Sequence, residues 1–155
     1  MTGNRFTYTR SLATITNTPS YQALFTIFNK KYFGGKTSQC VINILSVQFA
    51  LRNSNSGGTI YMIRNGALVG NPSFSDYDTI SCSMWDTSAT SVTITNNRQI
   101  VWSGILADTG NILHDFASED AEITLQSGEW LTLAGSTTSG TATIFAGTIN
   151  TREDI

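Results

Sequence analysis

The sequence predicts an all-β protein, an antiparallel β-sandwich of jelly-roll type, and three observations support that prediction. Ser and Thr occupy 40 of the 155 positions, and only 13% of residues are charged. This composition disfavours helices, because β-branched side chains lose rotamer freedom in a helix and long charged helix formers are scarce. Short runs of alternating apolar and polar residues recur along the chain, separated by turn-forming residues. About eight to ten such runs are typical of an antiparallel sandwich.

The length of 155 residues suits one domain with one core. We expect two parts, an extended N-terminal segment over residues 1–19 and the β-sandwich over residues 20–155. The first segment alternates apolar with polar positions and ends at Asn17-Thr18-Pro19-Ser20. This pattern leaves two alternatives open, an edge strand of the sandwich and an arm that crosses onto a neighbouring molecule.

The clearest strand signal is an alternation of four apolar residues with more polar ones. The four are Leu45, Val47, Phe49 and Leu51. A period of two places one face on a core and the other toward water, so we expect all four side chains in one core. The run from Tyr21 to Phe28 predicts another strand, with a short helix as the alternative.

Asn65-Gly66 separates two apolar runs, residues 59–64 and 67–69. This pair is best suited to a type I′ turn, because both residues tolerate positive φ. The sequence therefore predicts a β-hairpin here. Further strands are predicted over residues 79–85, 91–95, 99–106, 123–125, 130–133 and 141–149.

Cys40 and Cys82 are too few for a disulfide framework and lack C-x-x-C spacing. We expect buried free thiols, while the sequence leaves a single bridge open. The N-terminus lacks the continuous apolar stretch of a secretory signal, and no run approaches the length of a membrane span. We therefore expect synthesis in a cytoplasm and no membrane partner.

The net charge of −2 conceals an uneven distribution, since every acidic residue lies from Asp76 onward. The candidate partner-binding residues are the basic ones near the N-terminus: Arg5, Arg10, Lys30, Lys31 and Lys36. Either strands from both halves interleave and mix the charges, or a basic end of the molecule docks on an acidic partner. The basic residues are scattered without an aromatic stripe, so no nucleic-acid partner is expected.

Catalytic patterns are missing from the sequence. His114 is the one histidine, and no G-x-S-x-G accompanies it. The acidic residues of positions 119–122 fall in a polar turn region, where charge is expected. One histidine and two distant cysteines provide no zinc set, and the glycine-containing turns lack a phosphate-binding pattern. We therefore expect no enzyme, no cofactor and no metal.

Three tryptophans raise the question of sugar stacking, because an aromatic face can support the apolar side of a pyranose. They are Trp85, Trp102 and Trp130, and each lies in a strand-like run beside an apolar residue. Core packing is the interpretation that we favour for most of them.

The last third of the chain contains three recognisable pieces. Leu125 to Leu131 reads LQSGEWL, Ser136 to Thr141 is a hydroxyl-rich hairpin, and the chain ends in REDI. With these pieces, residues 102–155 resemble a group of tailed-phage virion proteins. The Gly-Glu strand opening and the final strand also resemble trimeric jelly-roll heads of the tumour-necrosis-factor and C1q kind.

The resemblance implies a small β-sandwich displayed on a particle. It implies a non-enzymatic decoration or cement protein of a phage capsid, located in the virion, with the major capsid protein as partner and a homotrimer as the assembly. It brings no functional residues with it. The alternative is a receptor- or glycan-binding head domain of a phage tail fibre or a lectin-like module.

Overall fold

The structure, a computed structural model, describes residues 3–12, 15–16, 21–52, 57–106, 110–117, 123–137, 141–142 and 144–154. In this part of the chain regular structure is almost entirely β-strand, with one short 3₁₀ helix at Asn97–Gln99. The strands are β1 (Asn4–Leu12), β2 (Ile15–Thr16), β3 (Tyr21–Asn29), β4 (Tyr32–Phe33), β5 (Lys36–Thr37), β6 (Val41–Arg52), β7 (Gly58–Arg64), β8 (Ala67–Gly70), β9 (Ser75–Asp76), β10 (Ser83–Asp86), β11 (Ala89–Thr93), β12 (Ile100–Leu106), β13 (Gly110–Asp115), β14 (Ile123–Leu125), β15 (Trp130–Thr137), β16 (Thr141–Ala142) and β17 (Ile144–Asp154).

Eight principal strands of the described residues form two antiparallel sheets. The first sheet has the order β1-β17-β6-β13, and β14 pairs with a further stretch of β6. The second sheet contains β12-β7-β15-β3 and continues into β10 and β9. Counted along the chain, strands one, eight, three and six form one sheet, and strands five, four, seven and two form the other. This is the double Greek key of a jelly roll, so the predicted fold class is confirmed.

The core between the sheets confirms most of the pattern predicted for β6. Val47, Phe49 and Leu51 are completely buried in one apolar cluster. The expectation is wrong for Leu45, which is buried outside that cluster and lines a small cavity. The pairing of β6 with β17 shifts register beside Ser46. A bulge of this kind inserts one extra residue, so the alternation of inward and outward side chains changes phase there.

Strand β1 lies at one edge of the first sheet. It pairs with β17 from Asn4 opposite Glu153 to Leu12 opposite Phe145. The Tyr8 side chain is completely buried in the core, and Phe6 packs against it. An arm that reached a neighbouring molecule would have to give up this pairing. Residues 1–2, 13–14 and 17–19 of the predicted N-terminal segment lie outside the described residues.

The hairpin predicted at Asn65-Gly66 is wrong. Strand β7 pairs with β12 and β15, whereas β8 pairs with β11. Asn65 does have positive φ, at 55°, but its backbone N–H donates to the carbonyl of Trp130. Strands β12 and β15 therefore occupy both edges of β7, and β8 pairs with β11 instead.

Residues 65–99, which we call the insert, join β7 to β12 and form a second, smaller core. In β7, Ile60 and Met62 belong to the main cluster, and Ile63 belongs to the second one. Because alternate side chains of a strand point to opposite faces, the second cluster lies on the far face of the second sheet. Ala89 and Val92 of the insert pack there with Ala23 of β3 and Ala134 of β15.

The expectation of free thiols is also wrong. Cys40 and Cys82 form a disulfide, with Cα atoms 6.6 Å apart, and both residues are buried. They are separated by 42 positions in the sequence. No local sequence pattern predicts this pairing, because Cys40 and Cys82 come into contact only when the insert folds back.

Candidate functional site

A cavity of about 650 Å³ lies between the β4–β5 hairpin and the part of the insert from residue 76 to residue 84. Met84 of β10 and Phe28 of β3 stand opposite each other in the second sheet, and both line it. The other lining groups include Lys30, Lys31, Tyr32, Phe33, Asp76 and Thr79. The cavity therefore combines aromatic rings with two ammonium groups and one carboxylate.

The β4–β5 hairpin is specified by its turn. Gly34 and Gly35 have φ of 64° and 76°, values that favour glycine because a Cβ atom is strained there. Tyr32 then pairs with Thr37 and Phe33 with Lys36. The turn holds Tyr32 at the surface, where it is 71% exposed, the highest exposure among the large hydrophobic side chains of the described residues.

Lys30 joins the two walls of the cavity. Its Nζ lies 2.9 Å from Asp76 Oδ1 and donates to the Ser81 carbonyl at 3.2 Å. The same ammonium lies 5.3 Å from the centre of the Phe33 ring, within the range of a cation–π contact. Its backbone N–H donates to Cys82 O at 3.0 Å. Together with the disulfide, these contacts fix the spacing between hairpin and insert.

A buried chain of hydrogen bonds connects the insert to β1 and β17, the first and last strands of the first sheet in chain order. The Tyr8 hydroxyl contacts Ser83 Oγ, which lies 2.6 Å from Ser81 Oγ. Ser81 in turn donates to the carboxylate of Glu153, which also accepts the Cys82 backbone N–H at 3.0 Å. Burial raises the pKa of the Tyr8 hydroxyl well above its usual range, and the nearby Glu153 charge adds to the effect. Tyr8 therefore remains protonated and acts as a structural hydrogen-bonding group.

Sulfur and oxygen atoms of Cys40, Cys82 and Glu153 lie within 4.8 Å of one another. Metal binding by cysteine requires thiolates. Here the two sulfurs are bonded to each other, so this cluster is a disulfide beside a hydrogen-bonded carboxylate.

The two basic residues of β1 occupy different environments. Arg5 is exposed and stands opposite Arg152, where both line a cavity of about 320 Å³ with Asp115. Arg10 is half-buried, and its Nη1 donates to the Leu24 carbonyl at 2.6 Å. The strand alternation separates them, because residues five positions apart point to opposite faces.

The other three candidate residues lie on or beside the β4–β5 hairpin. Lys30 forms the ion pair with Asp76 and the hydrogen bond to Ser81 O described above. Lys31 is exposed, and its aliphatic stem passes close to Gly128, where an added Cβ would lie 3.2 Å from Lys31 Cε. Lys36 is exposed at the hairpin turn. The structure thus groups these three at the β4–β5 hairpin and places Arg5 and Arg10 on β1 of the first sheet.

The remaining sequence candidates are structural where they are described. His114 packs against Trp102 and Phe116, with ring centres 5.5 and 4.6 Å away. Trp85 and Trp102 pack against the main core, and Trp130 donates from Nε1 to Gly66 O at 2.8 Å. Glu119, Asp120 and Glu122 lie outside the described residues.

Sequence reasoning missed Phe28, Tyr32, Phe33 and Asp76 as lining groups of the cavity. A local signal existed for two of them, because Gly34-Gly35 directly follows the aromatic pair and indicates an exposed tip. Asp76 gave no such signal, since it meets Lys30 only through the folded insert.

No protein-family model matches the chain, and no curated protein matches it. No helix in the described ranges has the length and apolar character needed to cross a membrane. Among solved structures, the chain is similar to one in "Structure of deformed wing virus carrying the GFP gene", with a TM-score of 0.35, 11% identity and coverage of 99% of this chain and 78% of that one.

A second similar chain comes from naturally occurring empty particles of cowpea mosaic virus, with a TM-score of 0.33, 8% identity and coverage of 96% and 83%. A third comes from the crystal structure of decameric BFDV capsid protein, with a TM-score of 0.18, 9% identity and coverage of 97% and 98%. All three TM-scores lie below 0.5, so the assignment of the fold rests on the strand order of the two sheets.

Proposed function

We propose that this chain is a non-enzymatic structural component of a virus particle, a decoration or cement protein of a phage capsid that binds the major capsid protein as a homotrimer. The observation that supports this proposal most is the jelly-roll strand order of the two sheets. Jelly rolls form viral capsid domains as well as lectins and cupins. The resemblance of residues 102–155 to tailed-phage virion proteins favours the first of these.

Charge on the surface favours an acidic docking partner. Arg10 and Lys30 have partners within the chain, so the proposal assigns contact with the capsid to the exposed residues Arg5, Lys31 and Lys36. Ion pairs at the rim of an interface raise the association rate and are weakened by salt. Repetition over a lattice multiplies a modest contact into a stable coat.

The proposal is tested with particles of the encoding virus that lack this protein. We expect them to rupture at a lower temperature, and we expect purified protein to restore their stability on addition. The Arg5→Glu/Lys36→Glu variant should bind the particles less well than the unmodified protein at low salt, and the difference should shrink as salt is raised, because salt screens the ion pairs of the unmodified protein. Arg98→Glu, a change at an exposed residue of the 3₁₀ helix, is the matched control. Particles that are equally stable without the protein and fail to bind it would overturn the proposal.

A second function, a receptor- or glycan-binding head domain, is favoured by one specific observation. The exposed ring of Tyr32 borders a cavity whose volume falls in the range of small-ligand sites, about 300–1,000 Å³. A head domain of a tail fibre or a lectin-like module would use such a site to contact a host surface.

A further inference from the structure

We propose that the cavity between the β4–β5 hairpin and the insert binds a sugar that bears a carboxylate, with the pyranose ring stacked on Tyr32 and the carboxylate paired with Lys31. This inference rests on the second function proposed above. It can hold or fail separately from the capsid proposal, because Tyr32 lines the cavity and is not assigned to the capsid contact, whereas Lys31 is assigned to both.

Tyr32 provides the stacking surface. At 71% exposure its ring is left largely in water, although aromatic side chains gain most from burial. The neighbouring rings of Phe28 and Phe33 extend the apolar surface on one side. The C–H face of a pyranose is apolar and flat enough to cover such a ring, while its hydroxyls remain available to polar neighbours.

Charge distribution in the cavity assigns the anion-binding role to Lys31. Lys30 is already paired with Asp76 and donates to Ser81 O. Lys31 is exposed and makes no ion pair with another described residue, and its stem is supported along Gly128. Two ammonium groups against one carboxylate leave the cavity with one excess positive charge, which complements a single carboxylate.

The Asp76 carboxylate selects against more highly charged anions. The Asp76 side chain is 64% exposed, so part of its carboxylate faces solvent beside its pair with Lys30. A carboxylate only accepts hydrogen bonds. It therefore suits sugar hydroxyls, which donate, and repels the phosphates of a nucleotide. Thr79 is exposed at the same cavity, and its hydroxyl can donate a hydrogen bond to a sugar hydroxyl or accept one from it.

The walls of the site are fixed before any ligand arrives. The Cys40–Cys82 disulfide, the Lys30–Asp76 ion pair and the bond from Lys30 N–H to Cys82 O all connect the hairpin side to the insert side. A preformed site loses less conformational entropy on binding than one that must be ordered. A small ligand can consequently be held by few contacts.

The test uses two sugars that differ only at the carboxylate, methyl β-glucuronide and methyl β-glucoside, together with the methyl α-glycoside of N-acetylneuraminic acid. Binding is followed on the intact protein by changes in amide chemical shifts, titrated up to the solubility of each sugar. We expect saturable shifts at residues 28–36 and 76–84 with at least one acidic glycoside and weaker binding of the neutral one. Tyr32→Ala and Lys31→Gln should each weaken binding about tenfold or more.

Lys36→Gln is the matched control, because Lys36 is also exposed and lies on the β4–β5 hairpin but does not line the cavity. It should bind the acidic sugar as the unmodified protein does. All three positions are exposed, so each variant should keep its melting temperature.

Adenosine monophosphate is titrated in the same way as a phosphate-bearing competitor. Three results would overturn the inference: no saturable binding of any acidic glycoside, equal affinity for the neutral glucoside, or tighter binding of adenosine monophosphate than of the acidic sugars. The particle assay then separates this failure from that of the capsid proposal. Tyr32→Ala should still coat particles normally, whether or not the sugar binds.

Discussion

The jelly-roll frame and the insert that folds over it are stabilised in different ways. In the frame, β6 and β17 pair along their length, and their inward side chains, such as Phe49 and Phe145, are completely buried. The insert has strands as short as two residues, as in β9. It is fastened by a disulfide, by the buried Glu153 carboxylate and by side-chain hydrogen bonds to its own backbone.

Apolar burial is non-directional, whereas hydrogen bonds and a disulfide fix particular atoms. The frame can therefore provide general stability while the insert and hairpin hold a defined cavity. Substitutions in the frame should lower the stability of the whole domain. Substitutions that remove the disulfide or the hydrogen bonds of the insert should lower the free energy of unfolding by less, and they should act mainly on the insert.

The largest effect is expected from Phe49→Ala. Phe49 is completely buried, with its ring centre 4.8 Å from that of Phe145. Truncation should lower the free energy of unfolding by about 3–5 kcal/mol, because it leaves a cavity in the core. Denaturant titration measures the loss. Gln48→Ala, at the exposed neighbouring position, should change stability by less than about 0.5 kcal/mol.

Removal of the disulfide should have the next largest effect. The Cys40→Ser/Cys82→Ser variant should lose about 2–4 kcal/mol, the usual range for a bridge that constrains the unfolded chain. Reductant should lower the stability of the unmodified protein and leave the double variant unchanged. Equal stability with and without reductant in both proteins would show that the bridge does not fasten the insert.

Tyr8→Phe should lower the free energy of unfolding by about 0.5–1.5 kcal/mol, the net contribution of one hydrogen bond. The change preserves the buried ring and removes the bond between Tyr8 and Ser83, whose Oγ keeps its contact with Ser81 Oγ. Thr9→Val is the control, since Thr9 on the same strand bonds Thr148 at the surface. A loss confined to Thr9→Val would contradict the structural role of the buried chain.

Asp86 should give the smallest effect, visible as a dependence on pH. Burial alone would raise the pKa of Asp86, but hydrogen bonds from Ser88 Oγ and from the backbone N–H groups of Ser73, Ala89 and Ser88 outweigh it and hold the pKa below its usual value. A depressed pKa stabilises the folded state above the unfolded pKa, about 4. That contribution is lost as pH falls through the lower, folded value.

The difference in stability between the unmodified protein and Asp86→Asn measures this contribution. It should be largest near neutral pH and shrink as the solution is acidified below about pH 4. A difference in stability that stays constant down to pH 2 would mean that the negative charge of Asp86 does not stabilise the insert.

Sequence reasoning anticipated the frame well, because alternation reports directly on which face of a strand is buried. It correctly assigned Val47, Phe49 and Leu51 to the core. The assignment of Leu45 to the same core was wrong, because the bulge depends on the register between β6 and its partner β17. Sequence reasoning also failed at Asn65-Gly66, where a strong turn signal was present but both edges of β7 were already paired.

The candidate site was less accessible to such reasoning. Lys30 and Asp76 are far apart in the sequence and meet only because the insert folds back beside the hairpin. The pairing of Cys40 with Cys82 has the same origin. Contacts made by an insert lack a local period, so neither alternation nor spacing could reveal the cavity.

The central claim, that this chain is a structural component of a virus shell, is tested most directly by its copy number in purified particles of the encoding virus. Quantitative mass spectrometry gives the molar ratio of this chain to the major capsid protein. The account predicts a ratio set by the capsid lattice, with many copies per particle. Absence from the particles, or only a few copies confined to the tail, would contradict it.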